Sequence, residues 1–262
     1  FPYTTLFRSE ILISSLMLYR DTGKEEYLEW FFRTLEYCRE HFADPEYQDV
    51  PKLWSAADDV WAAALIQEHT ERFLESLKDA DIEPELVQIG NEINNGLSGE
   101  YSVPDIMTLL DSASRAVRSV DSNIKIAVHY TEIDDTTGTI KHARDLQNAG
   151  IDYDIFGVSY YPYWHGSLEN MTSVLSQITE AFGKETCILE TSYLYTGDDG
   201  DQFGNSVSGD DTVEGYPASV QGQASMIRDV IAAANSAGSI GVLYWEGAWI
   251  PVGSDYDSNK AL

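Results

Sequence analysis

Two cysteines in 262 residues, Cys38 and Cys187, are too few for a disulfide scaffold. One sits in a charged, helix-like stretch and the other inside the apolar run TCILE, so they do not form a metal-ligand spacing either. Basic residues are also scarce. Sixteen Lys and Arg stand against 44 Asp and Glu, a formal net charge of −28, and that mean field repels a nucleic-acid backbone or an anionic membrane. No segment approaches the roughly 18 consecutive apolar residues of a membrane helix. The first residues lack the charged, apolar and small-residue succession of a signal peptide. No G-x-G-x-x-G run follows an apolar segment, which removes the main support for a nucleotide-binding sheet. The expectation is a soluble chain with a neutral partner, no nucleic acid, no membrane and no organic cofactor.

Aromatic residues are plentiful: 16 Tyr, 6 Trp and 9 Phe, 12 % of the chain. Aromatic faces beyond the needs of a core often serve as flat platforms for sugars or other neutral ligands. Five apolar runs of strand length recur, LVQIGNEI from 86, IKIAVHY from 124, DIFGVSYY from 154, TCILETSY from 186 and IGVLYWEG from 240. They are continuous rather than alternating, the mark of strands buried on both faces of a parallel sheet. Between them lie helical periods: Ile106, Leu109, Leu110, Ala113, Val117 and Val120 behind Pro104; Met171, Val174, Leu175, Ile178 and Phe182 before Gly183; and Ile227, Val230, Ile231 and Ala234 before Gly238.

Strict β/α alternation leaves a (β/α)8 TIM barrel or an open doubly wound sheet. The strand ends favour the barrel. Asn91-Glu92, Tyr160-Tyr161 and Glu190 are polar or aromatic groups at strand C-termini, and a barrel gathers all such ends around one site. Length is consistent with one barrel domain, 1–262.

Glu92 and Glu190 thus become facing acids. A retaining glycosidase uses two carboxyl groups about 5–5.5 Å apart, one protonated to serve the leaving oxygen and one ionised to attack the anomeric carbon. Asn91 offers an amide for a sugar 2-hydroxyl. Tyr160 or Tyr161 offers a phenolic hydrogen bond to the ionised acid, and strand alternation allows only one of them to face inward.

QIGNEINNGL, GVSYYPYWHGSL, ILETSYLYT, YPASVQGQ and VLYWEGAWIPVG, in this order, resemble glycoside hydrolase family 53, the arabinogalactan endo-β-1,4-galactanases. FADPEYQDVPKLW resembles the loop after that family's third strand. The resemblance implies a retaining enzyme cutting the β-1,4-galactan side chains of pectin, with Glu92 as general acid/base and Glu190 as nucleophile. It also implies that Trp245 lies under the sugar at the cleavage point, and that Trp164 and His165 line the substrate cleft; His129, closing the IKIAVHY strand, either lines the cleft or is a histidine satisfied at a strand end. Glu246 is expected to be structural. A bacterial, extracellular or envelope-exposed monomer follows from the same resemblance. Paired glutamates do not specify the sugar, so a mannanase or xylanase of the same clan remains an alternative, as does a non-catalytic carbohydrate-binding protein.

The segment TGDDGDQFGNSVSGDD, from 196, is longer than a simple crossover loop needs to be. Asp199, Asp201 and Asn205 with the carbonyl of Phe203 present hard oxygens at alternating positions, while Gly200 and Gly204 permit tight winding, so structural calcium is a candidate against a merely solvated acidic loop. The resemblance to the bacterial galactanases adds weight to the metal.

Residues 1–50 hold space for barely more than one βα unit before the strand of Glu92, fewer than a complete barrel requires. FPYTTLFRS, within 1–9, is unlike protein selected to fold; 10–50 match the family poorly, whereas 51–262 are galactanase-like. The expectation is an incomplete barrel with an open edge, poorly soluble and weakly active when expressed alone.

Overall fold

The computed structural model describes residues 56–198 and 206–245. A long helix α1 (Ala56–Asp79) leads into β1 (Leu86–Gln88). Four further pairs follow: α2 (Val103–Val120) with β2 (Lys125–Tyr130), α3 (Thr136–Ala149) with β3 (Ile155–Ser159), α4 (Leu168–Phe182) with β4 (Glu185–Thr191), and α5 (Val220–Ser236) with β5 (Val242–Tyr244). The five strands form one sheet in the order β1-β2-β3-β4-β5, and every neighbouring pair is parallel. Sequence order and spatial order coincide throughout. A doubly wound sheet would reverse direction at a switch point, so this is the progression of a (β/α) barrel, seen here as a half-barrel.

Local chemistry explains where the helices begin and end. Ser102, Ser167 and Ser219 each accept a backbone N–H from the first turn of α2, α4 and α5, satisfying a donor that a helix start leaves orphaned. Asp135 does the same for α3. Gly183 closes α4 in the left-handed conformation.

The apolar stripes of the helices pack on the outer face of the sheet. Leu110, Ala113 and Val117 of α2, Met171, Val174 and Ile178 of α4, and Met226 and Val230 of α5 join Ile126, Val128, Phe156, Val158 and Ile188 of the strands in one core. A smaller cluster of Ala127, Ile155, Cys187 and Leu189 belongs to the inner face.

Two expectations need correction. Ile231, placed on the buried stripe of α5 by its period, is 49 % exposed, because Met226, Val230 and Ala234 at four-residue spacing take the sheet-facing side. Burial on both faces holds for β2, β3 and β4 but not for β1 and β5, the two edges of the described sheet, where Leu86, Leu243 and Tyr244 are exposed. At the N-terminal end of the strands, Arg118 binds Asp152, Asp154 and the carbonyl of Ile124, tying α2 to the start of β2 and β3.

Candidate active site

The C-terminal ends of β1 to β5 carry the polar groups. After β1 the chain turns sharply at Gly90, where φ is +84° and an added Cβ would come within 2.5 Å of the Ile93 side chain, so only glycine fits. Glu92 follows in the left-handed region, φ 43° and ψ 51°, just before a 3₁₀ turn at Ile93–Asn95. A non-glycine residue there costs about 1–2 kcal/mol. Such strain, offset by the surrounding structure, marks a carboxylate held in a defined direction.

Glu190 is aimed by a different device. Val158 pairs with Ile188, but Ser159 pairs with Glu190, so β4 carries one residue more than β3 at this point, and its register with β5 shifts in the same region. This bulge lets Leu189 and Glu190 both serve the inner face. Gly157 makes room for it: a Cβ there would sit 2.1 Å from Leu189 Cδ1 and 2.9 Å from the Val128 carbonyl oxygen. Without glycine on β3 the bulged side chain has no place.

A hydrogen-bonded network runs from Glu92 to His129, and Glu190 lies beside it. The Ser159 hydroxyl lies 2.7 Å from Glu92 Oε1 and 2.9 Å from His129 Nε2. On its other side the His129 ring meets Asn91 Oδ1 at 3.0 Å, Gln88 Nε2 at 3.1 Å and Glu190 Oε1 at 3.9 Å. Tyr161 donates its hydroxyl to Glu190 Oε2 at 2.9 Å. Burial pushes His129 down to about 4, so the imidazole is neutral at working pH.

Aromatic rings frame Glu190. Trp245, whose backbone N–H binds the Thr191 carbonyl, meets Tyr161 edge-on at 6.4 Å. Trp164 lies 5.8 Å from Tyr161 and is 52 % exposed, an open indole face beside the acids. Behind them Tyr163 stacks on Tyr193 at 5.0 Å, and their hydroxyls hold the backbone groups of Leu194, Val213 and Tyr216.

Six of the nine expected catalytic and substrate-binding residues are thereby placed together at the surface of one site: Glu92, Glu190, Asn91, Tyr161, Trp164 and Trp245. Three are placed otherwise. Tyr160 is 1 % exposed and gives its hydroxyl to the Gly166 carbonyl, because alternation turns it to the helix side when Tyr161 faces in. His129 is 0 % exposed, so it stands behind the acids rather than against a ligand. His165 is 8 % exposed; its Nδ1 accepts the Tyr161 backbone N–H and its Nε2 meets Thr131 Oγ1, a brace for Tyr161 instead of a sugar contact. Sequence reading passed over Ser159 and Gln88. A serine two residues before an inward tyrosine was the signal for the first. Asp199, Asp201, Phe203 and Asn205 lie outside the described residues, as do Cys38 and Glu246. Among the described residues no three His, Cys, Asp or Glu side chains gather as metal ligands. No helix among them is long and apolar enough to cross a membrane.

This arrangement of acids and aromatics on a parallel half-barrel accompanies a clear kinship. The model of glycosyl hydrolase family 53 matches residues 35–261. The chain belongs to glycosyl hydrolase family 53. An endo-beta-1,4-galactanase of Bacillus subtilis is 41 % identical over 226 residues, covering 84 % of this chain and 52 % of that protein. An arabinogalactan endo-beta-1,4-galactanase of Cellvibrio japonicus is 34 % identical over 224 residues, with 80 % and 59 % covered. Among solved structures, the Ignisphaera aggregans family 53 catalytic domain superposes with a TM-score of 0.71 at 32 % identity, covering 83 % of this chain and 65 % of that one. The chain therefore spans about half to two-thirds of the length of these relatives.

Proposed function

We propose that the intact protein is a retaining endo-β-1,4-galactanase acting on the galactan side chains of pectin. The observation that carries this is the pairing of Glu92, fixed on a strained turn after one strand, with Glu190, raised on a bulge of another and held by Tyr161. In the first step Glu92 gives its proton to the glycosidic oxygen as that bond breaks, and Glu190 attacks the anomeric carbon to form a galactosyl ester. In the second, Glu92 takes a proton from water, and the resulting hydroxide displaces Glu190 with overall retention. Asn91 keeps Oδ1 toward His129 and Gln88, which leaves its NH2 to donate to the sugar. Trp245 and Trp164 supply apolar faces for galactose rings.

Relatives named galactanases, one of them 41 % identical over 226 residues, support galactan over other β-glycans. The discriminating experiment digests galactan, mannan and xylan side by side with the intact protein. Release of galactooligosaccharides from galactan alone is expected; equal or greater release from mannan or xylan would overturn the assignment of the sugar. The same reading takes the enzyme to act outside the cell or at its envelope, because the polymer is too large to enter a cell, and to be a bacterial monomer; the Bacillus subtilis relative supports the bacterial source.

Calcium in the loop after β4 belongs to the same reading, held by Asp199, Asp201, Asn205 and the Phe203 carbonyl. Gly197 and Gly209, on the described sides of that segment, approach so closely that a Cβ on Gly197 would lie 2.9 Å from the Gly209 Cα. A bound ion would neutralise clustered carboxylates and stiffen the loop. Chelator should then lower the melting temperature of the intact enzyme, and an unchanged value would remove the metal.

A further inference from the structure

The YPASVQGQ stretch, residues 216–223, takes no part in the chemistry above, yet it converges on one residue beside the site. Tyr193 lies three positions after Glu190 and is buried. Its hydroxyl donates to the Tyr216 carbonyl at 2.7 Å, and its own carbonyl is held from α5 and β5 together. Gln223 Nε2 donates to that carbonyl at 2.6 Å and to the Tyr244 hydroxyl at 3.1 Å, while the Tyr244 hydroxyl donates to the same carbonyl at 3.2 Å. The triangle is complete in its hydrogens: an amide NH2 has two to give, a carbonyl oxygen has two lone pairs, and the phenol both gives and accepts. The start of α5 delivers Gln223 to this place. Ser219 Oγ accepts the Gly222 N–H at 3.0 Å, and a Cβ on Gly222 would lie 1.9 Å from the Pro217 carbonyl oxygen, so glycine is what lets the helix begin this close to the turn before it.

Trp245 follows Tyr244 directly. Because Tyr244 turns its ring toward Gln223 of α5, alternation turns Trp245 to the opposite face, where its indole meets Tyr161. The Trp245 N–H reaches the Thr191 carbonyl at 2.9 Å, beyond the point where β4 carries an extra residue and the register of β4 with β5 shifts. A regular ladder therefore does not carry the strand spacing unbroken to the end of β5. The Gln223 triangle spans the same stretch, from Tyr193 just after β4 to Tyr244 at the end of β5. We infer that Gln223 is a positioning residue: its amide, with the Tyr244 hydroxyl, clamps the end of β5 to the chain after β4 and so sets where the Trp245 indole stands relative to Glu190. The inference rests on the reading of Trp245 as a platform for the sugar. Gln223 acts through that indole from the helix behind the strands.

The test is a double-mutant cycle in the intact protein, read as kcat/KM on galactan. Gln223→Leu removes both donors at similar size, and Tyr244→Phe removes the bridging hydroxyl alone; each is made in the wild type and in Trp245→Ala. Trp245→Ala should by itself lower kcat/KM at least about tenfold through loss of the stacked face. In the wild-type background Gln223→Leu should lower kcat/KM about five- to fiftyfold and Tyr244→Phe about two- to tenfold. In the Trp245→Ala background neither should lower it by more than about a further twofold, because the group they position is gone. A role confined to holding α5 in place would give the same loss in both backgrounds. That result, or wild-type kcat/KM in both single variants, would overturn the inference and leave the platform reading standing. If Gln223→Leu does not fold, Tyr244→Phe decides by the same comparison. Wild-type kcat/KM in Trp245→Ala would instead remove the platform reading, and the inference with it.

Discussion

Tyr161 and Glu190 meet at 2.9 Å, the phenol donating to the carboxylate, and His165 holds the tyrosine in place by accepting its backbone N–H. A hydrogen bond to a charged group contributes about 1.5–3 kcal/mol. Tyr161→Phe should therefore lower kcat/KM on galactan by about 10- to 150-fold with a melting temperature within a few degrees of wild type. Steady-state kinetics and calorimetry check both halves. Full activity in this variant would show that the phenol does not serve the nucleophile.

The bulge in β4 predicts an unusual sensitivity at a glycine with ordinary φ. Gly157→Ala places a methyl 2.1 Å from Leu189 Cδ1 and 2.9 Å from the Val128 carbonyl oxygen, so Leu189 must move and carry its neighbour Glu190 with it. Overpacking of this kind costs about 1–3 kcal/mol. The expected outcome is a lowered denaturation midpoint together with a loss of activity exceeding what the unfolded fraction explains. Gly241→Ala is the contrast, since among the described residues a Cβ there meets Cys187 Sγ alone, at 3.6 Å, an ordinary contact. Equal behaviour of the two variants would contradict the role given to Gly157.

These two cases mark what was legible in the sequence. Five strands, three of the helices and the placement of Glu92 and Glu190 at strand ends followed from apolar runs, capping residues and order, because those are local properties. The helix α3 was not marked, since its buried residues Thr139, Ala143 and Leu146 include a threonine and a small alanine, and Gly138 dilutes the signal further. Alternation announced that only one of Tyr160 and Tyr161 would face inward but not which. That choice depends on which face of β3 packs against the helices, Phe156, Val158 and Tyr160 in the core and Ser159 against His129, and that is a relation between elements. The same holds for His129 and His165. A histidine at a strand end reads alike whether it touches a ligand or stands behind one, and only the partners supplied by other strands, Ser159 and Asn91 for one and the Tyr161 backbone for the other, separate the cases.

Burial of His129 makes folding sensitive to pH. The ring titrates at about 4 in the folded protein against an ordinary 6.5, so below pH 6.5 the unfolded chain takes up a proton that the folded one refuses. This contribution is fully present above pH 6.5 and is lost as pH falls toward about 4. His129→Asn removes it. The variant should be less stable than wild type at pH 7 by about 1–3 kcal/mol through its lost hydrogen bonds, with the gap narrowing between pH 6.5 and 4. Melting temperatures at pH 7, 5.5 and 4 check the trend, and a gap that stays constant would show that the histidine is not buried in its neutral form.

The division of labour between Glu92 and Glu190 is tested most directly by azide rescue of Glu92→Ala in the intact protein with a dinitrophenyl β-galactobioside. Loss of the acid/base carboxylate should leave the first step intact for this leaving group and stall the second, so the galactosyl ester on Glu190 accumulates. Added azide, which needs no general base, should raise turnover at least about tenfold and yield the β-configured galactosyl azide. An α-configured azide, or no acceleration at all, would contradict the assignment of Glu92 as acid/base and Glu190 as nucleophile.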